Sequence, residues 1–215
     1  MEREEILKII KETGIIAVMR GMEKKKTINV ARALVKGGIK VLEVTMNSPS
    51  PLGTIEEVKG EFEEGEVVIG AGTVLDSESA RAAILSGADF IVSPNLNLDV
   101  IKLCKRYDKL VIPGVMTPTE IIQGLEAGAD LLKVFPADIV GPRFIKDILG
   151  PIKYAKLIPT GGINLTNVVE YIKAGAYAVG AGGGLLEKRL IEEELYEELG
   201  EKAEEFVKKI REARK

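Results

Sequence analysis

A lysine inside an apolar run is the first residue of this sequence whose position suggests chemistry. Lys133 is the only charged residue in the run LLKVFP, which extends from Leu131 to Pro136. If the run is a buried strand, its side chains alternate between two faces, and Lys133 shares a face with Leu131 and Phe135. An ammonium group that loses its hydration gives up its proton more readily, and the free amine is the nucleophile of Schiff-base catalysis. From this run alone, the alternative is a strand-end lysine that reaches water or meets a carboxylate.

A glutamate in a second apolar run is a candidate partner for such a lysine. In the run VLEVT, alternation places Glu43 on the inner face together with Val41 and Thr45. A carboxylate that lies near a lysine inside a sheet acts either as an ion-pair partner or as a proton carrier in catalysis. The pattern leaves both roles open.

The sequence contains no histidine, which narrows the chemistry available to it. Catalysis by Ser-His-Asp or Cys-His nucleophiles and zinc sites built on histidine are excluded. Carboxylates could still hold a magnesium ion, but no close pair of acids on one strand indicates such a site, and we expect no cofactor. The formal net charge of -3 gives no attraction to nucleic acid or to an anionic membrane, and no apolar run is long enough to span a bilayer. The single cysteine, Cys104, rules out an internal disulfide and favours the reducing cytoplasm.

Eight β-rich runs alternate with helical segments along the chain, at intervals of about 20 to 26 residues. Each interval has room for one strand and one helix, and strands that are apolar on both faces are typical of a parallel sheet covered by helices. The predicted strands are 15–20, 41–46, 67–74, 90–94, 110–115, 131–136, 157–161 and 177–182. We therefore predict one domain over residues 1–215, an α/β fold built as a single (β/α)₈ TIM barrel over about 15–186. An extra N-terminal helix over 2–13 precedes the barrel, and a C-terminal helical segment over about 187–214 packs across the barrel bottom or against a neighbouring chain.

The ends of these strands carry the other candidate site residues, because barrel active sites form where strands end and βα loops begin. Arg20 follows the first strand and Thr73 follows the third, and both donate hydrogen bonds suited to a carboxylate. Glycines follow the last two strands, where the backbone N–H groups of barrels commonly hold phosphate. These glycines are Gly161, Gly162, Gly182 and Gly183.

Six motifs, taken together, resemble those of one enzyme family. They are LEVT at 42–45, IGAGTV at 69–74, IVSPN at 91–95, IPGVMTPTE at 112–120, LLKVFPAD at 131–138 and PTGGI at 159–163. From Ile15 to Leu186 the chain is similar to the 2-keto-3-deoxy-6-phosphogluconate aldolases and the related 4-hydroxy-2-oxoglutarate aldolases. The resemblance implies a class I aldolase on a TIM barrel, a homotrimer, and no metal. A keto acid and a phosphorylated aldehyde are the small-molecule partners that it implies.

The resemblance also implies roles for the candidate residues. Lys133 forms the Schiff base with the substrate ketone, and Glu43 moves protons by way of a water molecule. Arg20 and Thr73 bind the carboxylate of the pyruvyl unit. Pro94 and Phe135 form walls of the pocket, and Thr160 contacts the carbon 4 hydroxyl. The phosphate lies along Gly162, Gly182 and Gly183, and Gly161 belongs to the same loop as Gly162.

Several positions leave the substrate open. Asn47 and Gly183 stand where many family members have an arginine and a serine, which weakens anion binding and the dependence on a phosphorylated substrate. Arg20-Gly21, Asn47-Ser48-Pro49 and the run 141–146 look more like the 6-phosphogalactonate aldolases, which differ in the stereochemistry accepted at carbon 4. Thr160, in contrast, is typical of the gluconate type. We predict cleavage of 2-keto-3-deoxy-6-phosphogluconate to pyruvate and glyceraldehyde 3-phosphate, with 4-hydroxy-2-oxoglutarate as a further substrate. The alternatives are a phosphogalactonate aldolase, a phosphate-binding barrel isomerase or synthase, and an engineered trimeric scaffold derived from this barrel.

Overall fold

Parallel strands form a ring around the centre of the molecule in the computed structural model, which describes all residues 1–215. The strands are β1 (Ile15–Met19), β2 (Val41–Thr45), β3 (Val68–Gly72), β4 (Phe90–Val92), β5 (Leu110–Ile112), β6 (Gly114–Val115), β7 (Leu132–Val134), β8 (Leu157–Pro159) and β9 (Val179–Ala181). Hydrogen bonds join them in the orders β5-β4-β3-β2-β1-β9 and β6-β7-β8. A parallel bridge between Thr160 and Gly180 connects the end of β8 to β9. The predicted barrel is therefore confirmed.

The fifth predicted strand is divided into β5 and β6 at Pro113. Proline has no N–H to donate to a sheet, so the hydrogen-bond ladder is interrupted there. The carbonyl groups on either side of the break still join the neighbouring strands. Ile112 O accepts from Ser93 N at 3.1 Å, and Pro113 O accepts from Lys133 N at 2.9 Å. The two short strands thus act as one, which links β4 to β7 and closes the ring.

Helices cover the outside of the ring and fill the connections between strands. They are α1 (Arg3–Thr13), α2 (Lys24–Lys36), α3 (Pro51–Gly60), α4 (Ser77–Leu85), α5 (Leu98–Arg106), α6 (Pro118–Glu126), α7 (Ala137–Leu149), α8 (Val168–Lys173), α9 (Lys188–Glu192) and α10 (Tyr196–Ala213). Helix α7 is broken at Gly141, whose φ of 69° is not helical, and the following Pro142 starts its second part. None of the helices combines the length and the apolar character needed to cross a bilayer.

The predicted N-terminal helix closes one end of the barrel. Ile6 and Ile10 of α1 are buried in a cluster with inward side chains of the strands, such as Val41 and Leu131. Gly14 ends the helix in the left-handed region at φ 73°, and its N–H bonds to the carbonyl of Ile10 at 2.9 Å. Apolar packing therefore seals the end of the barrel at which the strands begin, and their other end remains open for a site.

The C-terminal segment does not lie where the sequence suggested. It forms α9 and α10, and α10 packs on the outside of the barrel between α8 and α2. The prediction that this segment crosses the barrel bottom is wrong, because α1 already covers that end. Its packing against a neighbouring chain stays a prediction. Gly37 at the end of α2 allows the close approach, since a methyl group there would overlap the carbonyl of Gly200. Helix α10 thus takes the place of the eighth barrel helix.

Candidate active site

A cleft of about 370 Å³ opens at the carboxyl ends of β1, β7, β8 and β9. Eight of the predicted site residues line it, namely Arg20, Lys133, Phe135, Thr160, Gly161, Gly162, Gly182 and Gly183. The strand ends bring these residues together from four separate parts of the chain, as barrel geometry requires. Arg20 and Lys133 are the charged residues among those that line the cleft. The cleft therefore favours an anionic ligand.

Lys133 lies in the middle of β7 and points into the barrel. Its backbone pairs with Gly114 on one side and with Ile158 on the other, which fixes the position of its Cα. The residue is only 3% exposed, and its Nζ lies 5.0 Å from the centre of the Phe135 ring. The aromatic face attracts the ammonium group without accepting its proton. The side chain thus lies at the floor of the cleft, inside the barrel, as the alternation of the strand predicted.

Glu43 points inward from β2 and remains unpaired. It is 2% exposed, and its Oε1 is buried without a hydrogen-bond partner. Glu43 takes part in none of the salt bridges of the molecule. Burial raises the pKa of this carboxyl group, while the positive charges of Lys133 and Arg20 act in the opposite direction. A carboxyl group of this kind accepts and returns a proton more readily than one held in a contact ion pair.

Gly72 provides the space that the Glu43 carboxylate occupies. A methyl group on Gly72 would overlap Oε1 of Glu43 and lie 2.6 Å from its Cγ. The two residues lie on the neighbouring strands β2 and β3, where Gly72 pairs with Thr45. The sequence contains this signal only in part, because the motif IGAGTV shows a glycine without showing what lies against it.

Arg20 and Thr73 meet at the edge of the barrel mouth. Nη2 of Arg20 donates to Oγ1 of Thr73 at 3.3 Å. Thr73 has a φ of 57°, in the left-handed region that a β-branched residue rarely adopts. The next residue, Gly21, donates its N–H to Oγ of Ser48 at 2.8 Å, and Ser48 lies 2.9 Å from Oγ1 of Thr45. The sequence identified Ser48 only as part of a family resemblance and did not reveal this contact, which holds the backbone next to Arg20 in place.

The two glycine loops present free N–H groups to the cleft. Gly161 and Gly162 have φ values of 102° and 69°, and the side chains of Asn164 and Asn167 donate to the Gly162 carbonyl at 3.2 and 2.9 Å. No backbone hydrogen bond uses the N–H of Gly161 or Gly162, or those of the second loop at 182–183. Fixed loops with unpaired N–H groups are suited to an anion such as phosphate.

The three remaining predicted residues do not line the cleft itself. Glu43 lies deeper in the barrel, and Thr73 contacts Arg20 at the rim. Pro94 is half-buried at the end of β4, where its carbonyl packs closely on Gly114. Thr160 does line the cleft. It is 8% exposed, and its hydroxyl lies 3.4 Å from the carbonyl of Ile158.

Comparisons with known proteins agree on one family. The family model described as "KDPG and KHG aldolase" matches residues 6–201. A 2-dehydro-3-deoxy-phosphogluconate aldolase of Haemophilus influenzae is 33% identical over 205 residues, which cover 95% of this chain and 96% of that protein. A 2-dehydro-3-deoxy-6-phosphogalactonate aldolase of Escherichia coli is 32% identical over 200 residues, which cover 93% of this chain and 95% of that protein. Among solved structures, the KDPG aldolase of Legionella pneumophila with pyruvate captured as a covalent carbinolamine superimposes with a TM-score of 0.85 and 30% identity, over 92% of this chain and 96% of that one.

Proposed function

The chain belongs to the KDPG and KHG aldolase family and is a carbon–carbon lyase, and we propose that it cleaves 2-keto-3-deoxy-6-phosphogluconate to pyruvate and glyceraldehyde 3-phosphate. The observation that carries this proposal is the pair of buried groups inside the barrel. Lys133 lies on the cleft floor, and the nearby Glu43 carboxylate has no bonding partner at Oε1. We assign the role of nucleophile to Lys133 and the role of proton carrier to Glu43.

The chemistry begins at Nζ of Lys133. The free amine attacks the carbonyl carbon of the substrate to give a carbinolamine. Glu43 gives a proton to the carbinolamine hydroxyl by way of water, and the loss of that group as water leaves a protonated imine. As the bond between carbons 3 and 4 breaks, its electron pair moves into the imine and forms an enamine. The carbon 4 hydroxyl gives its proton to Glu43, by way of water, and becomes the aldehyde. Protonation of the enamine at carbon 3 and hydrolysis of the resulting imine then release pyruvate and the free lysine.

The rest of the cleft is assigned to the two ends of the substrate. Arg20 and Thr73 bind the pyruvyl carboxylate, because they place two hydrogen-bond donors together at the rim. Phe135 lines the cleft and bounds the pyruvyl half on the apolar side, and we assign Pro94, which lies outside the cleft lining, to the same side. The unpaired N–H groups of the glycine loops at 161–162 and 182–183 hold the phosphate. The raised pKa of Glu43 supports its role, since a general base works best when it titrates near the working pH.

The epimeric 6-phosphogalactonate substrate is the second candidate, because relatives of both types are similar to this chain at nearly equal identity. Thr160 favours the gluconate type, since it lines the cleft and carries a hydroxyl that we assign to the carbon 4 hydroxyl. The ratio of kcat/KM for the two epimers decides between them. Thr160→Val should lower the value for the gluconate epimer by roughly tenfold, as expected for a lost hydrogen bond. An equal loss for both epimers would remove Thr160 from the discrimination.

A homotrimer in the cytoplasm is the assembly that we propose. Leu75 and Leu98 are each 55% exposed and lie close together, since Asn97 Nδ2 donates to the Leu75 carbonyl at 2.9 Å. Apolar side chains grouped on a surface are typical of an interface between subunits. Light scattering of the intact protein tests the assembly. Leu98→Glu should shift the mass from three chains toward one, and Tyr154→Glu, at another exposed apolar residue, is the matched control.

Reductive trapping tests the proposed catalytic lysine. The protein is incubated with pyruvate and borohydride, and the modified residue is located by peptide mass spectrometry. We expect one reduced adduct at Lys133, and none in Lys133→Met. An adduct at another lysine, or none while pyruvate binding is intact, would overturn the Schiff-base assignment.

A further inference from the structure

The glycine end of the cleft has hydrogen-bond donors but no side-chain cation. The positive charges that line the cleft are Arg20 and Lys133, and both are assigned to the pyruvyl half of the substrate. Arg143 on α7 does not line the cleft; its side chain is 90% exposed and lies 3.4 Å from Asp147. A phosphate bound at the glycine loops would thus be held by neutral backbone groups.

Asp138 places a negative charge against the first of these loops. It lies in the first turn of α7, and a methyl group on Gly162 would come within 2.6 Å of its Cβ. A methyl group on Gly161 would lie 3.5 Å from its Oδ1. Asp138 takes part in none of the salt bridges of the molecule, so no neighbouring cation cancels its charge.

The backbone fixes this contact. The N–H of Ala137 donates to the carbonyl of Thr160 at 2.8 Å, so the start of α7 is joined directly to the residue before the glycine loop. The hydroxyl of Tyr171 donates to the carbonyl of Ala137 at 2.9 Å, which ties the same turn to α8. The backbone at the start of α7 is therefore held beside the loop by the fold, and the exposed side chain of Asp138 extends from this point.

We propose that Asp138 is a specificity-determining residue, which weakens the binding of a dianionic phosphate at the glycine end and so favours acceptor aldehydes of smaller charge. The inference rests on the proposed function, because it assigns the glycine end to the aldehyde half of the substrate. Two like charges within a few ångströms of the same loop repel each other, and near a protein surface this repulsion is only partly screened by salt. Removing the charge should raise the affinity for phosphate by roughly three- to tenfold.

A purely structural role for Asp138 makes a different prediction. An acid in the first turn of a helix interacts favourably with the helix dipole, so its removal would lower the stability of α7. That loss would affect phosphorylated and uncharged substrates alike. A specificity role changes the ratio between the two, and this ratio is the quantity to measure.

The test compares Asp138→Asn with Asp147→Asn, which removes the same charge from the far part of the same helix. For each variant, kcat/KM is measured for 2-keto-3-deoxy-6-phosphogluconate and for the same keto acid without its phosphate. Binding of inorganic phosphate is measured by calorimetry at low and high salt. We expect Asp138→Asn to raise kcat/KM for the phosphorylated substrate and the affinity for phosphate by about three- to tenfold, with a smaller gain at high salt. In Asp138→Asn, kcat/KM for the substrate without phosphate should change by less than about twofold. Asp147→Asn should give the same values as the parent protein for both substrates.

Each failure has its own signature. An unchanged phosphate affinity in Asp138→Asn, a gain equal to that of Asp147→Asn, or no binding of phosphate by any form would overturn the role of Asp138. Loss of the pyruvate adduct at Lys133 would instead overturn the proposed function, because pyruvate carries no phosphate and does not reach the glycine loops.

Discussion

Replacing Gly72 by alanine tests whether the space beside Glu43 is needed for catalysis. The added methyl group would overlap Oε1 of Glu43 and crowd its Cγ, so the carboxylate must move by about an ångström or more. Overpacking of this kind in a filled interior costs roughly 1–3 kcal/mol of stability. A displacement of about 1 Å of a catalytic group costs on the order of 100-fold in rate. We therefore expect kcat to fall by about two orders of magnitude while KM changes little, since Arg20 stays in place.

Steady-state kinetics and thermal unfolding together measure this effect. The double variant Gly72→Ala with Glu43→Ala is the main control, because truncating the glutamate empties the space that the new methyl group requires. In that background, Gly72→Ala should cost less than about 0.5 kcal/mol, which is the size of an ordinary independent substitution. A second control is Gly70→Ala on the same strand, whose methyl group would meet the ring of Phe90 and not the carboxylate. It should lower the melting temperature without the same specific loss of kcat.

Two outcomes would refute the reasoning. If Gly72→Ala keeps kcat within about threefold of the parent, the position of Glu43 does not matter for the chemistry at the 1 Å scale. If the stability cost of the substitution is the same with and without the Glu43 side chain, the glycine is required for some other reason. The difference between the effects of Gly72→Ala with and without the Glu43 side chain is therefore the measurement that connects the packing at Gly72 to catalysis.

Three further predictions follow from the same site. Lys133→Met should abolish the pyruvate adduct and leave the melting temperature within a few degrees of the parent, because it keeps the side-chain volume; a large drop would indicate a structural role for the amine. Because burial raises the pKa of Glu43, the folded protein holds its proton more tightly than the unfolded chain, so the contribution to stability falls as the pH rises from the ordinary carboxyl range through the raised value. Glu43→Gln should remove this pH dependence of the unfolding free energy in denaturation experiments. In the parent protein, kcat should begin to fall on the acid side at a pH above the usual carboxyl range. An unchanged pH dependence of stability in Glu43→Gln would contradict the raised pKa. Thr73→Gly should raise stability by about 1 kcal/mol by relieving the left-handed conformation, and should raise KM for pyruvate in exchange reactions; Thr73→Ser, which keeps the hydroxyl, should spare KM.

The strands and the inward residues were predictable because both follow from local patterns. A strand alternates with a period of two, so Lys133 and Glu43 could be assigned to the interior from their apolar neighbours alone. The interruption at Pro113 also has a local cause, the missing N–H. The position of α10 was not predictable in this way, because a charged amphipathic helix carries no record of which groove accepts its apolar face. That choice depends on long-range contacts such as the one between Gly37 and Gly200.

The candidate site also contains features that local patterns predicted and features that they did not. Alternation within strands identified the lysine and the glutamate, and residue types at strand ends identified the glycine loops. The structure brings eight of the predicted site residues into one cleft. The contacts that position these residues could not be predicted, because they join residues that are far apart in the sequence or whose types are common at such positions. Gly72 beside Glu43, Ser48 beneath Gly21 and Asp138 beside the glycine loop are such cases. An exposed aspartate in the first turn of a helix is common. Only the contact of Asp138 with the glycine loop, which the structure reveals, indicates an effect on phosphate binding.

The separation of the two buried charges explains how they can work together. A contact ion pair between Glu43 and Lys133 would stabilise the ammonium form, which is not a nucleophile, and would hold the carboxylate in its ionised form. The barrel avoids this arrangement, since Oε1 of Glu43 faces Gly72 and has no bonding partner. Leaving a buried polar atom without a partner costs roughly 1–3 kcal/mol, which the apolar packing of the barrel must offset. Stability is thereby exchanged for a buried carboxyl group that is free to gain and lose a proton, which is what the proposed cleavage of a carbon–carbon bond through an imine requires.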